Sequence, residues 1–530
     1  MQTSPGEVTR APLARERGND HEPPARSDGP TWLWRIVPIG IGLALVAGVV
    51  LRFFAQSELW LDEALTVNIA SVPLGDLVDT LRRDGSPPLF YVLLHFWIDI
   101  FGDGNAAVRS LSGVFSLAAL PAMWFTARRM GGRVLAWIAL LLLALSPFAI
   151  RYSNEARPYS LQILLVLLGT LAMRRAFERP SVARLAVVVL LTGLLLYDAY
   201  WSLYLVVVVG VYLVFRSVRD PDPRAARRVL VAVAIGCATF LPWVPVFLDQ
   251  LAHTGTPWAT PVSLTTALGH ALIDFGGGFV PAGWLMGPLL VAFAALGLFG
   301  VALDRRYIGL DLQTRPLARN EAAIGIGTLL VGGGIAWVTA GAFESRYASV
   351  VLPLYLLVAA AGFLTLASRT LRSAALAVVL LLGFAGGIEQ GVTHRTQAGE
   401  VTSVINEAAQ PGDVVGFCPD QVGPDVDRLL SVDVRGLAWP DGASPEFVDW
   451  TDYEERNAAA DPAAYAQVLL DAAGPDTTIW LVWAPGYRTL ETSCEAVVTT
   501  LQGERPDAET VVVGDDNFFE FQNLTRFGPP

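Results

Sequence analysis

The chain has 530 residues, of which 53% are apolar and 16% are charged, and its mean hydropathy is +0.47. Soluble domains carry about 25% charged residues, so this composition indicates an integral membrane protein and excludes a disordered chain. The net charge of −12 disfavours a nucleic-acid-binding protein, whose binding surface is basic.

Residues 1–31 are polar and contain no apolar run, which predicts a disordered cytoplasmic tail. Residues 32–54 supply the first hydrophobic segment, and about 20 residues are enough to cross a bilayer. No small-residue cleavage site follows it, so we expect a retained anchor. With ten later apolar runs, the sequence predicts eleven transmembrane helices, at 32–54, 106–127, 133–151, 159–177, 184–198, 200–216, 229–249, 283–303, 321–342, 347–367 and 372–390.

Arginine-rich connections set the predicted orientation, because cytoplasmic loops carry the excess of positive charge. They fall on one side of the membrane if the short apolar run 87–101 does not cross it. We therefore expect 87–101 to be a helix that lies in or dips into the outer interface. The opposite, extracytoplasmic side then receives a first outer loop, 55–105, and everything after residue 391. The whole arrangement predicts a multi-pass protein of a bacterial plasma membrane.

Residues 391–530 are predicted to form a separate, soluble extracytoplasmic domain. From residue 395 onward they contain 24 acidic residues against seven arginines. Strand-like pieces at 413–418, 477–483 and 510–513 alternate with helical stretches such as 462–472, which is typical of a small α/β or α+β fold. The acidity suits solubility better than a binding task.

This domain leaves two questions open. Cys418 and Cys494 can form a disulfide if the domain is exported. Tryptophans can bind a glycan through their aromatic faces or pack in a core, and those of this domain are Trp439, Trp450, Trp480 and Trp483. Core packing is expected for at least Trp480 and Trp483, which lie in an apolar strand.

Ionisable residues cluster on the predicted outer side, where a functional role is the default hypothesis because charge is costly near hydrocarbon. The first cluster, Trp60-Leu61-Asp62-Glu63, either caps a short helix or supplies a base. The second is the run Arg151-Tyr-Ser-Asn-Glu155-Ala-Arg157-Pro-Tyr159-Ser160. Its cations and carboxylate suit phosphate and a divalent metal, although a structural ion pair would look the same.

The third cluster is Phe343-Glu344-Ser345-Arg346-Tyr347. Its arginine either snorkels to lipid headgroups or binds an anionic group in the same pocket. Tyr91, His95, Tyr159 and Asp198 are further candidates for the pocket wall. We find no histidine pair with metal-ligand spacing, no P-loop and no dinucleotide fingerprint, which argues against a nucleotide-driven enzyme.

Taken together, the Asp62-Glu63 pair, the Ser86-Pro-Pro-Leu-Phe-Tyr91 segment, the Arg151–Tyr159 turn and the late Ser345-Arg-Tyr347 resemble GT-C glycosyltransferases. The similarity is to the protein O-mannosyltransferase and aminoarabinose transferase type, glycosyltransferase family 39-like, and it covers residues 32–390. It implies a GT-C fold. The chain departs from the family pattern at Ser86, where members often have histidine, and at Glu155, which lies two residues before the usual acidic position.

The resemblance implies transfer of a sugar from a polyprenyl-phosphate donor to an acceptor on the outer face. Asp62 corresponds to the family's base, and we assign Glu63 beside it to the catalytic pair. Arg346, Arg157, Tyr347 and Arg151 would bind the donor phosphate, and Glu155 would hold a divalent metal, Mg or Mn. One base candidate without a second nucleophilic carboxylate predicts inversion at C1.

The sugar and acceptor stay open at this stage. Mannose and arabinofuranose are the leading sugars, and a protein hydroxyl, a glycolipid and a cell-wall glycan are the possible acceptors. Two other classes of function compete. A transporter or lipid flippase would use the same outer cavity without chemistry, but transporters tend to show inverted repeats and midplane charges. A structural or assembly protein would recruit partners through the acidic domain.

Overall fold

The computed structural model describes residues 33–255, 260, 262–278, 280–304, 307–339 and 341–530. The predicted cytoplasmic tail, 1–31, lies outside these residues. Contacts divide the chain into two compact units, Met1–Ile41 and Gly42–Pro530. The described part of the first unit, from Leu33, is helical. Apart from the bounds of the first helix, which begins at Leu33, the structural description concerns the second unit.

Helices dominate the part of the chain before residue 393. They are α1 Leu33–Leu51, α2 Leu61–Ser71, α3 Leu77–Asp84, α4 Leu89–Phe101, α5 Asn105–Ala144, α6 Pro147–Ser153, α7 Tyr159–Glu178, α8 Val182–Asp198, α9 Trp201–Arg219, α10 Arg224–Ala238, α11 Val244–His253, α12 Leu264–Asp274, α13 Pro281–Phe299, α14 Arg319–Val338, α15 Leu352–Phe363 and α16 Arg369–Val392. A two-stranded antiparallel sheet joins β1 Gly300–Ala302 to β2 Ile308–Leu310.

Seven of the described helical segments are long and apolar enough to cross a membrane: α5, α7, α9, α10 together with α11, α13, α14 and α16. Each of the eleven predicted spans falls on a helix, because α5 bends at Gly131-Gly132 and so carries two of them. The remaining predicted spans coincide with α1, α8 and α15, which are shorter or less uniformly apolar. The prediction of a polytopic helical membrane protein is confirmed.

The first outer loop contains α2, α3 and α4. Gly85 ends α3 with a φ of +83°, a conformation that costs glycine least. A side chain at that position would also collide with Thr254 Oγ1, 2.7 Å from the added carbon. The tight turn leads into the two prolines before α4, which confirms that the run 87–101 is helical.

The C-terminal residues form a mixed sheet with five strands among the described residues, covered by helices. The strands are β3 Val414–Cys418, β4 Arg435–Ala438, β5 Ile479–Trp483, β6 Ala508–Val512 and β7 Asn523–Phe527. The helices are α17 Ala398–Ala408, α18 Gly423–Asp427, α19 Tyr453–Ala459, α20 Pro462–Ala473 and α21 Ser493–Glu504. The strand order is β4-β3-β5-β7-β6, with β3 parallel to β4 and β5 and with β7 antiparallel to β5 and β6.

We call residues 393–530 the C-terminal module. The predicted strands correspond to β3, β5 and β6, whereas β4 has only four residues and β7 is too polar to stand out in the sequence. The boundary predicted at residue 391 stays a prediction, although every strand of this sheet comes from later residues. Cys418 at the end of β3 and Cys494 in α21 form the disulfide that the sequence left open. Trp480 is 2% exposed, as expected for a core residue.

Several hydrogen bonds join the C-terminal module to the first outer loop. The Trp450 amide donates to the Arg83 carbonyl at 3.0 Å, and the Asn68 side chain donates to the Glu446 carbonyl at 2.7 Å. Glu520 accepts the Leu61 amide hydrogen at 3.0 Å. This last bond satisfies one of the free N–H groups at the start of α2, so the module supplies a cap for the helix that carries Asp62.

Glu63 ties α2 to α5. Glu63 is fully buried, and Arg109 of α5 donates two hydrogen bonds to its carboxylate, of 2.8 Å from Nε and 2.6 Å from Nη2. Arg109 also donates to the carbonyls of Ser57 and Glu58. The same carboxylate accepts the Ala156 amide hydrogen at 2.9 Å. One buried ion pair therefore ties together α2, α5 and the turn before α7.

Replacing Arg109 with methionine leaves the Glu63 carboxylate buried without its cation. We expect Arg109→Met to lower the free energy of unfolding by about 3–5 kcal/mol, the usual cost of breaking a buried pair. Thermal unfolding of the purified protein in detergent measures the loss. The double variant Arg109→Met/Glu63→Met should recover most of it, and a single variant as stable as the wild type would contradict the bracing role of the pair.

Two buried carboxylates of the C-terminal module, Asp425 and Glu520, predict a pH-dependent stability. Asp425 accepts hydrogen bonds from Thr396 (2.6 Å) and Gln522 (3.1 Å). Burial raises the pKa of Asp425 to about 7, and burial together with Asp425 raises the pKa of Glu520 well above its usual value. A raised folded-state pKa means that the stabilisation is present in acid and is lost as the pH rises through about 7.

We therefore expect the thermal midpoint of the wild type to decrease as the pH is raised from 5 to 8. The free energy of unfolding should decrease by no more than about 1.4 kcal/mol per pH unit for each proton. Asp425→Asn should flatten this dependence. Tryptophan fluorescence of the full-length protein follows the unfolding, with the exposed Asp476→Asn as the charge-matched control. Equal slopes in the two variants would contradict the assignment.

Candidate functional site

Asp62 lies in the first turn of α2 and faces two arginines from different parts of the chain. Its Oδ2 is 3.9 Å from Arg157 Nη2 and 3.7 Å from Arg346 Nη2, and its side chain is 23% exposed. Arg157 is held in turn by a 2.8 Å hydrogen bond that it donates to the Thr66 hydroxyl, one helical turn after Asp62. Asp62 is thus an accessible carboxylate between two cations.

Arg346 approaches from the turn before α15. Its guanidinium carbon lies 5.3 Å from the centre of the Trp60 ring and 5.5 Å from that of Tyr347. Ser345, the preceding residue, donates a 2.6 Å hydrogen bond to Asp274. Arg346 is 8% exposed, so these contacts hold it in place and exclude the alternative of an arginine that snorkels to lipid headgroups.

A second set of charges surrounds Glu155. Arg151 Nε is 3.5 Å from Glu155 Oε1, and Arg395, which follows α16, also pairs with this carboxylate. Arg395 also lies against Trp60, with its guanidinium carbon 5.6 Å from the centre of the Trp60 ring. Burial would raise the pKa of Glu155, but Arg395 and Arg151 lower it below its usual value. Glu155 is therefore an ionised structural anion.

These partners do not suit Glu155 for the predicted metal. A divalent ion needs several oxygen ligands, whereas this carboxylate faces arginines. Across the described ranges, no three histidine, cysteine, aspartate or glutamate side chains are grouped so that they could hold a metal ion. No step of the chemistry below uses a metal.

Glu63 does not take part in the cluster as the catalytic residue that the sequence assigned. It is 0% exposed and both of its oxygens bond to Arg109. The physical reason is the helix itself: consecutive residues differ by about 100° around the axis, so Asp62 and Glu63 cannot face the same way. Asp62 alone remains accessible.

The candidates for the pocket wall separate into two groups. Tyr159 and Tyr347 join the cluster, since their rings lie 6.0 Å from Arg157 and 5.5 Å from Arg346. Tyr91 donates a 2.8 Å hydrogen bond to Asp84. Burial and the Asp84 carboxylate raise the pKa of Tyr91, while Arg157 lowers it, so its hydroxyl lies within electrostatic reach of Arg157.

His95 and Asp198 belong elsewhere. His95 Nδ1 is 2.7 Å from the Ala70 carbonyl, so its ring joins α4 to the end of α2 rather than lining the site. Asp198 ends α8 and is 1% exposed. Within the described chain, neither of its carboxylate oxygens has a hydrogen-bond partner, and no contact connects it to Asp62. The structure therefore does not bring these two residues to the cluster.

The sequence missed Arg109, Arg395 and Glu520. An arginine inside a predicted span is a signal that could have identified Arg109. Arg395 immediately follows the last span, where arginines usually meet headgroups, and Glu520 is one of many acids in the C-terminal module. Only the folded structure brings the last two next to α2.

Comparison with known proteins finds one family model and several solved structures. The family model described as dolichyl-phosphate-mannose-protein mannosyltransferase matches residues 85–245. This stretch includes Arg109 and the Arg151–Tyr159 turn, but not Asp62 or Arg346. A search of curated protein sequences finds no matching relative.

Two solved structures share the architecture over nearly the whole chain. ArnT from Cupriavidus metallidurans in the apo state is 14% identical, with 94% of this chain and 100% of that chain covered and a TM-score of 0.60. The same protein bound to undecaprenyl phosphate is 13% identical, with coverages of 94% and 98% and a TM-score of 0.56. The chain therefore has the GT-C fold of membrane glycosyltransferases, as its motifs predicted.

Proposed function

We propose that this protein is a membrane glycosyltransferase that transfers a sugar from a polyprenyl-phosphate donor to an acceptor hydroxyl, with Asp62 as the general base. The observation that carries the proposal is the accessible Asp62 carboxylate between Arg157 and Arg346, 3.9 Å and 3.7 Å away. A base and a phosphate-binding pair in one place are the two parts that this reaction needs.

The base must act on the acceptor. As the acceptor oxygen attacks C1 of the sugar, Asp62 takes the hydroxyl proton, and the bond between C1 and the phosphate oxygen breaks. The electron pair of that bond leaves with the polyprenyl phosphate. A single displacement of this kind inverts the configuration at C1. Glu63, engaged by Arg109, is not available as a second nucleophile.

The leaving phosphate needs positive charge. Four arginines, namely Arg151, Arg157, Arg346 and Arg395, face two carboxylates, Asp62 and Glu155. This excess of cations suits an anion that gains charge in the transition state, and preorganised arginines stabilise such an anion strongly. Burial and the neighbouring Asp425 raise the pKa of Glu520 well above its usual value, which disfavours a negative charge on Glu520 beside these arginines.

The comparisons support a lipid-linked donor, since an ArnT structure with the same fold contains undecaprenyl phosphate. Mannose and arabinofuranose remain the candidate sugars, and a glycan, a glycolipid and a protein hydroxyl remain the candidate acceptors. From the positive-inside pattern we infer that the site and the C-terminal module lie on the extracytoplasmic face of a bacterial plasma membrane, with the N-terminus in the cytoplasm.

Removing the base separates an enzyme from a transporter or a scaffold. We expect Asp62→Asn to lower donor turnover by about 10²–10⁴-fold, the usual contribution of a general base. The measurement follows release of polyprenyl phosphate from a panel of radiolabelled polyprenyl-phosphate sugars by protein in nanodiscs. Asp79→Asn in α3, whose side chain is 85% exposed, is the matched control and should behave like the wild type. Full turnover by Asp62→Asn would contradict the proposal.

Arg346 should act on donor binding. We expect Arg346→Gln to raise the KM for the donor by about tenfold or more, because it removes a charge-assisted contact to the phosphate. The donor KM of Arg346→Lys should lie between those of the wild type and Arg346→Gln, since lysine keeps the charge but not the planar guanidinium group. Steady-state kinetics with the donor identified above measure both variants. A normal donor KM in Arg346→Gln would show that the phosphate binds elsewhere.

A further inference from the structure

A cavity of about 360 Å³ lies between the first outer loop and the C-terminal module. Leu65 and Ile69 of α2 form one wall, and Asp84 of α3 continues it. The opposite wall is the stretch 438–449 of the module. Small-molecule sites occupy roughly 300–1,000 Å³, so the cavity can hold a small compound or a short piece of a larger one.

The lining of the cavity on α2 begins three residues after Asp62. Leu65 and Ile69 follow Asp62 by three and seven residues and therefore share its face of α2. At about 1.5 Å of rise per residue, Leu65 lies roughly 4.5 Å along the helix from Asp62. A second connection passes through Asp84, which accepts the Tyr91 hydroxyl hydrogen, and Tyr91 is within electrostatic reach of Arg157.

The charge of the cavity lining is opposite in sign to that of the arginines near Asp62, to which the donor phosphate is assigned. The cavity is lined by four aspartates, namely Asp84, Asp420, Asp441 and Asp449, but by only two arginines. One of these, Arg456, donates to the Asp449 carbonyl at 2.6 Å and lies 3.8 Å from its carboxylate, so Arg456 offsets one aspartate. Burial raises the pKa of Asp420 to about 7, so Asp84 and Asp441 supply most of the remaining negative charge. An anionic ligand is therefore repelled here and directed to the arginines on the other side of Asp62.

Carboxylates are strong acceptors for hydroxyl hydrogens, and aromatic side chains offer flat apolar surfaces. The half-buried Phe447 supplies such a surface in the same cavity, which the buried Trp439 also lines. Trp439 is fixed by a 2.8 Å hydrogen bond that its indole donates to Asn457. Hydroxyl acceptors beside aromatic faces suit a sugar ring, which has many hydroxyl groups and apolar C–H faces.

We propose that this cavity binds a neutral, hydroxyl-rich sugar unit of the acceptor glycan, next to the base that activates its attacking hydroxyl. The inference rests on the proposed glycosyltransferase function and narrows its acceptor to a glycan. The donor phosphate occupies the arginine side of Asp62 and the acceptor sugar the aspartate side, so charge alone keeps the two substrates in the correct order.

Saturation-transfer NMR on the full-length protein in nanodiscs tests the cavity with three probes: a mannose trisaccharide, an arabinofuranose trisaccharide and a peptide containing serine and threonine. We expect at least one trisaccharide to bind. Phe447→Ala and the exposed Asp441→Asn should each weaken that binding by about tenfold, as expected for a lost stacking surface or a lost charged hydrogen bond. Asp476→Asn, an exposed aspartate outside the cavity, is the matched control.

Binding of the peptide but of neither trisaccharide would overturn the proposal, and so would an absence of trisaccharide binding or equal binding by the cavity variants and the control. Release of polyprenyl phosphate by the wild type reports separately on the proposed function. If the wild type turns over the donor but the cavity variants bind the trisaccharide as the control does, the acceptor site alone is refuted. Cavity-dependent binding without any donor turnover refutes the transferase instead.

Discussion

The buried contact between Arg109 and Glu63 is the interaction on which the site depends. Glu63 follows Asp62 directly, and its carboxylate also accepts the Ala156 amide hydrogen, one residue before Arg157. The base and one of its two cations are therefore held by the same buried anion. A loss of this contact would leave Arg157, which donates to Thr66 and faces Asp62, to join the 154–158 turn to α2.

The C-terminal module completes the site as well as covering it. Arg395 neutralises Glu155 and lies against Trp60, while Glu520 caps the first turn of α2. These contacts place the base, the cations and the neighbouring aspartate-lined cavity in one electrostatic arrangement. Positive charge lies on one side of Asp62 and negative charge on the other, which is what a reaction between an anionic donor and a neutral acceptor requires.

Much of this organisation could be predicted from the sequence. Length and hydropathy were sufficient for the helices, and the positive-inside rule predicts that the short helix α4 does not cross the membrane. The outer motifs identified Asp62, Arg157 and Arg346, because charge at a membrane boundary is rare and costly. Their convergence from three distant segments follows from the shared side of the membrane.

The sequence could not distinguish the roles of two adjacent acids. Asp62 and Glu63 are chemically alike, and only the rotation of α2 turns one towards solvent and the other towards Arg109. The role of Glu155 was equally hidden, because its decisive partner, Arg395, is 240 residues away. His95 was misplaced for a related reason, since its ring bonds to a backbone carbonyl that has no sequence signature.

The central claim is that the donor phosphate binds between Arg157 and Arg346, beside Asp62. The most direct measurement is a cryo-EM structure of the protein with undecaprenyl phosphate in nanodiscs. The account predicts phosphate density within hydrogen-bond distance of both guanidinium groups, with the prenyl chain leaving towards the membrane. Phosphate density elsewhere, for example at the distant Arg174 and Arg216, which line a separate cavity, would contradict it.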